Sequence, residues 1–382
     1  MSGINWNECS VDFGEASYPY YFGEDCLDRI VASMAGYGAD RFLVVTDDNV
    51  LQLHGEKLLP ALARVAPVDV FSRPAGDGAK SLHNLGACLE QAIAAGASRQ
   101  SVVVAFGGGV PGNLAGVVAS LLFRGVRLVH IPTTTVAAMD SVISLKQAIN
   151  STHGKNHIGT YRTPEAVYFD AGLLSTLPSK QLRSGLCEAT KNCLAIRPQS
   201  IAQMRDRLAA GDLASPQTLL WLLEESLEAK CSVMAQDTYE QRAGLILEYG
   251  HTVGHAVEMC DQRLRGSDGL SHGEAVMLGM LAAARISNAM GALDDAAVAV
   301  HEELARALGV GTEMPGGLLI EDVMDVVRVD NKRGYLTVSG EEAAMVLLGR
   351  LGVPLGSHDL PLTAVPLGIV KEAVATLVPD NQ

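Results

Sequence analysis

The stretch SVVVAFGGGVPGNLAG, residues 101–116, decides the fold class of this chain. A short apolar run rich in valine is typical of a buried strand, and the glycine-rich turn that follows leads into a helical pattern. Such a turn lets the backbone approach a pyrophosphate, whose charge the helix N-terminus stabilises. The spacing is not G-x-G-x-x-G, and a plain packing turn has the same appearance. Both interpretations stay open.

The residues around this stretch alternate short apolar runs with amphipathic segments of helix length. Four further runs predict strands: FLVVT (42–46), VDVF (68–71), VRLVHI (126–131) and AVYFD (166–170). Their nearly continuous apolar character is typical of a parallel sheet covered on both faces. We therefore predict a doubly wound, Rossmann-like α/β domain over residues 1–176, with a hairpin at VDFGEASYPYYFG before the first winding.

The composition changes near Leu177, where Ala, Leu, Glu and Met begin to dominate and strand patterns fade. Long helical periods follow, as in Gln217–Met234 and His272–Met290. These periods predict a mostly α-helical second domain over residues 177–382. Because no Pro- or Ser-rich linker separates the two parts, we expect the domains to pack tightly around a cleft.

The overall composition excludes several classes of protein. The 382 residues carry 29 Lys and Arg against 43 Asp and Glu, a formal charge of −14, which argues against nucleic-acid binding. The seven cysteines contain no C-x-x-C pair, as expected in a reducing compartment. No secretory signal opens the sequence, and no apolar run approaches the ~20 residues of a membrane span. We expect a soluble, cytoplasmic protein that binds neither nucleic acid nor membrane.

Three histidines are candidates for metal ligation. His251 and His255 in LEYGHTVGHAVE are four residues apart, so on a helix they share one face, and Glu258 follows three residues later. His272 lies next to a glycine in LSHGEAV. A single histidine of this kind is more often a core or surface residue than a ligand. The three together favour a metal site that some acid must complete.

Other charged residues allow two interpretations each. Glu188 and Lys191 in GLCEATKNC suit a surface ion pair, although the apolar residues and cysteines on both sides favour a buried face. Asp47 and Asp48 end a predicted strand, where a carboxylate binds a ribose hydroxyl or caps the next helix. Five more lysines, each taken alone a typical solvated surface charge, lie in segments that suit loops lining a cleft: Lys80, Lys146, Lys155, Lys230 and Lys332.

Four segments of the chain resemble a known family. They are GGGVPGNLAGVVASLLFRGVRLVHIPTT, HGKNHIGTYRTPEAVYFD, GLCEATK, and EYGHTVGHAVE followed by SHGEAV. All of them are similar to the sugar phosphate cyclases, whose best-known member is 3-dehydroquinate synthase. The similarity is collinear from about residue 40 to about residue 335, so it covers most of the chain.

The resemblance implies NAD⁺ in the N-terminal domain and a divalent metal, zinc or cobalt, held by Glu188, His251 and His272. It also implies a homodimer with its active site between the domains. The implied nucleotide-binding residues are Asp47, Asp77, Lys80, Gly108, Gly109, Val110, Asn113, Thr133, Thr134, Asp140, Lys146, Lys155 and Asn156. The substrate phosphate would be surrounded by Lys146, Asn156, His255, Lys332 and Arg124 of the partner subunit.

Several positions depart from the 3-dehydroquinate synthase pattern. Glu248 stands where that enzyme has Asn, and Gly244 replaces an arginine that would pair with a substrate carboxylate. Because a buried site cannot pair a carboxylate with glycine, a carboxylated substrate is disfavoured. Asn113 stands where the family has an Asp in the glycine loop. Lys230 matches a lysine on the carboxylate side of the substrate in 3-dehydroquinate synthase, so this position argues for a carboxylated substrate. The set is similar to the branch that cyclises D-glucose 6-phosphate for the 2-deoxystreptamine core of aminoglycoside antibiotics.

The chemistry implied by the resemblance begins with hydride transfer from C4 of glucose 6-phosphate to NAD⁺, which acidifies the C5 hydrogen. Phosphate then leaves C6, hydride returns to C4, and ring opening and an aldol step close the carbocycle. The net reaction is a lyase step that regenerates NAD⁺. We expect Glu248 to act as acid and base, with Lys146, Lys191 and His255 as the other catalytic residues.

Three other functions are alternatives to this one. A 3-dehydroquinate synthase, or a cyclase of sedoheptulose 7-phosphate, would differ in substrate, and Gly244 argues against the former. A metal-dependent alcohol dehydrogenase such as glycerol dehydrogenase would accumulate NADH. A non-catalytic NAD-binding sensor would be expected to lose some of the candidate ligands and lysines, which are all present.

Overall fold

The computed structural model describes residues 6–211, 213–330, 332 and 334–379. The chain divides into two compact units, here called unit 1, which ends at Pro178, and unit 2, which begins at Ser179. Each unit has its own sheet or helix packing and is described separately.

Unit 1 is built on a seven-stranded sheet with the order β1-β2-β9-β6-β5-β3-β4. Its described strands are β1 (Trp6–Asp12), β2 (Ser17–Gly23), β3 (Phe42–Asp47), β4 (Val68–Arg73), β5 (Val102–Gly107), β6 (Arg127–Pro132), β7 (Lys146–Ser151), β8 (Gly154–Tyr161) and β9 (Ala166–Asp170). Its described helices are α1 (Leu27–Ala35), α2 (Asp48–Ala63), α3 (Leu82–Ala94) and α4 (Gly109–Leu121). Among the described strands of this sheet, only β1 and β2 pair antiparallel. The predicted doubly wound sheet and its leading hairpin are confirmed.

Successive residues of the central strands enter two different cores. In β3, Phe42 and Val44 pack with residues of α1 and α2, whereas Leu43 and Val45 pack with residues of α3 and α4. Because side chains alternate across a strand, a sheet covered by helices on both faces needs apolar residues at every position. All four side chains are fully buried, and each contributes ~1.5–3 kcal/mol by burial. This explains why the strands appear in the sequence as continuous apolar runs.

Residues 146–161 form a hairpin and not the predicted loops. Strands β7 and β8 pair antiparallel, with Lys146 opposite Tyr161. Gln147 and Ile149 are buried, while Lys146 is exposed. The alternation of a strand is therefore present, but a buried glutamine hides it from a hydrophobicity pattern.

Unit 2 is mostly helical, which confirms the predicted class. Its described helices are α5 (Ser179–Ala195), α6 (Ile201–Ala209), α7 (Pro216–Met234), α8 (His251–Arg265), α9 (His272–Ala289), α10 (Asp295–Ala307), α11 (Ile320–Val327) and α12 (Leu367–Ala375). Four short strands were not predicted: β10 (Glu342–Met345), β11 (Leu348–Arg350), β12 (Val353–Pro354) and β13 (Thr363–Pro366). Helix α9 lies at the centre, packed against α5, α8, α10 and α12. Among the described residues no helix combines the length and apolar character needed to span a membrane.

Candidate functional site

Glycines let three helices of unit 2 meet backbone to backbone. A Cβ added to Gly279 of α9 would lie 1.9 Å from the carbonyl oxygen of Gly250, directly before α8. A Cβ added to Gly273 of α9 would lie 2.0 Å from the carbonyl oxygen of Ser184 in α5. Neither distance leaves room for a side chain, so the crossings require glycine at both positions. Helices α5 and α8 therefore both approach α9 more closely than ordinary helix packing allows.

The predicted metal ligands lie on these three helices. Glu188 is in α5, while His251 and His272 are the first residues of α8 and α9. Glu188 Oε1 lies 3.9 Å from His251 Nε2 and 3.5 Å from His272 Nε2. The Glu188 side chain is 1% exposed, and no group in the described part of the chain donates a hydrogen bond to its Oε1. The three residues converge on one point although they are far apart in sequence.

Both imidazoles present the nitrogen that a metal would need. His251 Nδ1 lies 3.2 Å from the Tyr249 carbonyl oxygen, and His272 Nδ1 lies 2.9 Å from Glu258 Oε2. With Nδ1–H donating to these acceptors, each Nε2 is the acceptor nitrogen of its ring. Burial, reinforced by the charge of Lys191, lowers the pKa of His251 to about 3. Two imidazole Nε2 atoms and a buried carboxylate oxygen without a donor are a donor set that fits Zn²⁺ or Co²⁺.

His255 belongs to the same cluster. Ring nitrogens of His251, His255 and His272 lie within 4.8 Å of one another, so a three-histidine donor set exists beside the predicted one. Burial lowers the pKa of His255 to about 4, which keeps this imidazole neutral as well. The two sets differ in the third ligand, Glu188 or His255. The buried Glu188 Oε1, which lacks a hydrogen-bond donor, favours the set with Glu188 because such an oxygen needs a cation.

Glu188 and Lys191 form the buried pair that was one of the two interpretations. Lys191 Nζ lies 2.5 Å from Glu188 Oε2, and the two side chains are 3% and 1% exposed. Removing both charges from water is costly, so the pair depends on this short contact. Lys191 thereby engages one carboxylate oxygen and leaves Oε1 directed towards the histidines.

Glu248 lies three residues before His251, at the end of the 3₁₀ turn Ala243–Glu248. Its Oε2 is 3.4 Å from Lys332 Nζ, which is also 3.0 Å from Asp330 Oδ1. The Glu248 side chain is 24% exposed, so it combines an ion pair with access to solvent. It is also near enough to His251 and His255 to act on their pKa by its charge.

The backbone between Glu248 and His251 is anchored from a distant helix. The Tyr249 hydroxyl lies 2.9 Å from His301 Nε2, and His301 Nδ1 lies 2.7 Å from the Ala297 carbonyl oxygen. Both side chains are fully buried. Because His301 Nδ1–H donates to the carbonyl, its Nε2 accepts from the tyrosine. Sequence reasoning did not identify this pair, and no local pattern signals it.

Three of the five candidate lysines are buried, so their interpretation as solvated surface charges was wrong. The buried ones are Lys80, Lys230 and Lys332, and the exposed ones are Lys146 and Lys155. Segments rich in small and polar residues do not reveal whether neighbouring elements cover them. Lys332 lies beside the histidine cluster through its contact with Glu248.

A second polar cluster lies in unit 1. Lys80 Nζ donates to Asn156 Oδ1 at 2.6 Å and lies 3.3 Å from Asp77 Oδ1. Asn150, which was not predicted, joins the set: it donates to Asp77 Oδ2 at 2.7 Å and accepts from the Asn156 backbone N–H at 3.0 Å. Asn156 has a φ of 58°, in the left-handed region that asparagine tolerates. The contact between Asn150 and Asp77 spans 73 residues, so no local pattern identifies it.

The glycine-rich loop lies between β5 and α4, as predicted. Gly108 precedes the first turn of α4, which contains Gly109 and Val110. Asn113 Nδ2 donates to the Gly109 carbonyl at 2.8 Å, and its Oδ1 accepts from the Ala148 N–H at 2.7 Å. Asn113 thus joins the loop helix to strand β7. A Cβ at Gly108 would lie 3.1 Å from Thr134 Cγ2, which shows how closely Thr134 approaches the loop.

The other predicted residues of unit 1 are more dispersed. Asp47 accepts from the Val50 N–H at 2.9 Å and so caps α2, one of its two interpretations. Thr133 is buried and donates its backbone N–H to the Gly107 carbonyl at 3.0 Å. Asp140 is half-buried in the π turn Ala137–Ser141. Arg124 is exposed after α4, with a φ of 68°.

Comparisons with family models and with known proteins indicate the same family. The chain matches the family model described as 3-dehydroquinate synthase N-terminal over residues 70–184 and the C-terminal model over residues 185–333. It is 46% identical over 367 residues to the 2-deoxy-scyllo-inosose synthase of Micromonospora echinospora, covering 96% of this chain and 91% of that protein. It is 45% identical over 369 residues to the same enzyme of Streptomyces kanamyceticus, covering 96% and 93%.

A solved structure extends the likeness to three dimensions. The crystal structure of a 2-deoxy-scyllo-inosose synthase with carbaglucose-6-phosphate, NAD⁺ and Co²⁺ has a TM-score of 0.90 and 34% sequence identity. The match covers 97% of this chain and all of that one.

Proposed function

The chain belongs to the 3-dehydroquinate synthase family, in the branch of the 2-deoxy-scyllo-inosose synthases, and we propose that it converts D-glucose 6-phosphate to 2-deoxy-scyllo-inosose and releases phosphate. In this proposal the reaction is a carbon–oxygen lyase step that supplies the 2-deoxystreptamine core of aminoglycoside antibiotics. The enzyme uses NAD⁺ and a divalent metal, as in the solved relative that contains NAD⁺ and Co²⁺.

The choice of substrate depends on Gly244, which places no cationic side chain at this position. The Gly244 N–H donates to Asp237 Oδ2 at 2.8 Å, and a Cβ at Gly244 would lie 2.9 Å from that same oxygen. An arginine at this position would have to displace the Asp237 carboxylate. A substrate carboxylate would therefore find no guanidinium from position 244, which favours a neutral sugar phosphate over a carboxylated heptulosonate.

The residues of unit 2 take distinct parts in the proposed reaction. When bound, NAD⁺ supplies a reversible hydride acceptor and the metal supplies a Lewis acid at the substrate hydroxyl. Glu188 Oε1, His251 Nε2 and His272 Nε2 would hold that metal. Lys191 is already engaged by Glu188 at 2.5 Å. We assign the assisting lysine to Lys146, whose side chain is exposed at the start of β7.

Glu248 is the proposed acid and base. Its carboxylate takes the proton removed next to the new ketone and returns it later in the turnover. The ammonium group of Lys332, 3.4 Å away, compensates the charge of this carboxylate. The Glu248 side chain is 24% exposed, so it keeps the access to solvent that a group acting on a substrate needs.

Glu248→Gln tests that assignment. We expect kcat for phosphate release to fall ~10²–10⁴-fold, because the amide cannot exchange the proton, while KM changes little. Glu313→Gln, at an exposed position of unit 2, should leave kcat unchanged. An unchanged kcat in Glu248→Gln would remove Glu248 from the mechanism.

The function itself is tested by incubating the metal-replete protein with glucose 6-phosphate and NAD⁺. Release of phosphate together with a carbocyclic ketone, without net NADH, is the expected result. Turnover of a heptulosonate or of sedoheptulose 7-phosphate would assign another cyclase, and accumulation of NADH would assign an alcohol dehydrogenase. No product from glucose 6-phosphate would contradict the proposal.

We also infer a cytoplasmic homodimer in which Arg124 reaches the phosphate bound by the partner subunit. The exposure of Arg124 supports this arrangement. Sedimentation of the protein as a monomer at its working concentration would contradict it.

A further inference from the structure

We propose that Glu258 is a positioning residue for the metal centre, which orients His272 and strengthens it as a ligand. The inference rests on the metal site of the proposed function. Glu258 Oε2 lies 2.9 Å from His272 Nδ1. Its other oxygen, Oε1, accepts from Gln262 Nε2 at 2.9 Å. Each carboxylate oxygen therefore has a defined partner, which fixes the plane of the carboxylate.

The position of Glu258 on α8 explains how it reaches His272. It lies seven residues after His251, about two helical turns, so both face the same neighbour. That neighbour is α9, which begins at His272 and meets α8 without intervening side chains at Gly250 and Gly279. One face of α8 therefore supplies a candidate ligand and the group that orients another.

The contact determines which nitrogen of His272 faces the cluster. An imidazole that donates Nδ1–H to a carboxylate keeps its Nε2 as an acceptor. In His272 this Nε2 lies 3.5 Å from Glu188 Oε1. The negative charge of Glu258 also makes the imidazole a better electron donor. The His272 side chain is 34% exposed, so packing alone does not hold its ring.

The two candidate histidine ligands differ in how they are held. His251 rests against a backbone carbonyl oxygen at 3.2 Å, whereas His272 rests against a carboxylate that is mostly buried. A buried carboxylate is costly unless it is paired, and the imidazole N–H of His272 is one of its partners. Replacing Glu258 therefore removes charge from one ligand and leaves the other unchanged.

The inference is tested with Co²⁺ as the probe, by competition with a chelator. Glu258→Gln should weaken Co²⁺ binding ~10–100-fold, the usual result of losing such a partner. The visible absorption bands of the bound Co²⁺ should shift, because the ligand field of His272 changes. The free energy of unfolding without metal is expected to change less than the metal affinity.

Glu274→Gln is the matched control. Glu274 is another buried carboxylate, two residues after His272, but its partners are Arg183, at 3.1 Å, and Ser271. This variant should lower thermal stability and keep the Co²⁺ affinity and spectrum of the parent.

Parent-like Co²⁺ affinity and spectrum in Glu258→Gln would overturn the inference and leave the proposed function intact. Equal weakening in both variants would assign Glu258 a merely structural role and overturn it as well. A parent protein that does not bind Co²⁺ would instead contradict the metal site, and the inference with it.

Discussion

The histidine cluster of unit 2 and the polar cluster of unit 1 are built in opposite ways. Glu188, His251 and His272 are brought together by helices that touch backbone to backbone. Lys80 and Asn156 are joined to their neighbours by side-chain hydrogen bonds across turns and a hairpin. The histidine cluster depends on close helix packing, and the polar cluster depends on individual hydrogen bonds. We therefore expect one substitution at a helix crossing to disrupt the whole histidine cluster, and single substitutions in the polar cluster to weaken it by one contact at a time.

Gly273→Ala should produce the largest effect, because it acts on the crossing itself. The new Cβ would lie 2.0 Å from the Ser184 carbonyl oxygen, so α5 and α9 must separate beside Glu188 and His272. We expect a loss of ~3 kcal/mol in the free energy of unfolding and at least tenfold weaker Co²⁺ binding. Urea unfolding and chelator competition measure the two effects.

Gly86→Ala in α3 is the control for that substitution. A Cβ there meets no atom within 4 Å, and the residue is exposed. Alanine in an exposed helix interior should stabilise the protein by ~0.5–1 kcal/mol. Tolerance of Gly273→Ala with normal Co²⁺ binding would show that helix packing does not set the ligand geometry.

Lys80→Met should have an intermediate effect that is confined to unit 1. It removes the contacts to Asn156 Oδ1 at 2.6 Å and to Asp77 Oδ1 at 3.3 Å. Loss of a charge-assisted hydrogen bond should raise the Kd for NAD⁺ roughly tenfold, measured by calorimetry, with Co²⁺ affinity unchanged. Lys57→Met, at an exposed position of α2, should change neither value. Loss of Co²⁺ binding in Lys80→Met would break the separation between the two clusters.

Asn113→Asp should have the smallest effect. Aspartate can still accept from the Ala148 N–H, but it cannot donate to the Gly109 carbonyl as Asn113 does at 2.8 Å. We expect a loss of about 1 kcal/mol in urea unfolding. Asn113→Ala, which removes both contacts, should lose about twice as much. Equal stability of Asn113→Asp and the parent would mean that the Gly109 contact contributes nothing.

The strands of the sheet were predictable because burial on both faces leaves a local trace. Residues 42–45 are apolar without interruption for that reason. Strand β7 was missed because its buried face includes Gln147, and β12 because it has only two residues, Val353–Pro354. Propensity and periodicity predict a strand whose buried side chains are all apolar. They fail where a buried side chain is polar or the strand is very short.

The candidate ligands were only partly predictable from local pattern. His251 and His255 stand out by their spacing, and their rings lie 5.0 Å apart. The choice of Glu188 as the acid came from the family resemblance, since the only local signal was its apolar surroundings. Which backbone Gly273 and Gly279 approach is a tertiary property that no local sequence pattern contains. Asn150 was missed for the same reason.

The glycine crossings also bear on which ions the cluster can accept. Carbonyl oxygens that would lie 1.9–2.0 Å from an added Cβ leave no slack between the helices that carry Glu188, His251 and His272. Widening the site for a large ion such as Ca²⁺, which needs six to eight oxygen ligands at ~2.3–2.6 Å, would separate these helices and lose their packing. Ions of similar radius, such as Co²⁺ and Zn²⁺, exchange without moving a helix. Size selectivity is thus a by-product of how the helices pack.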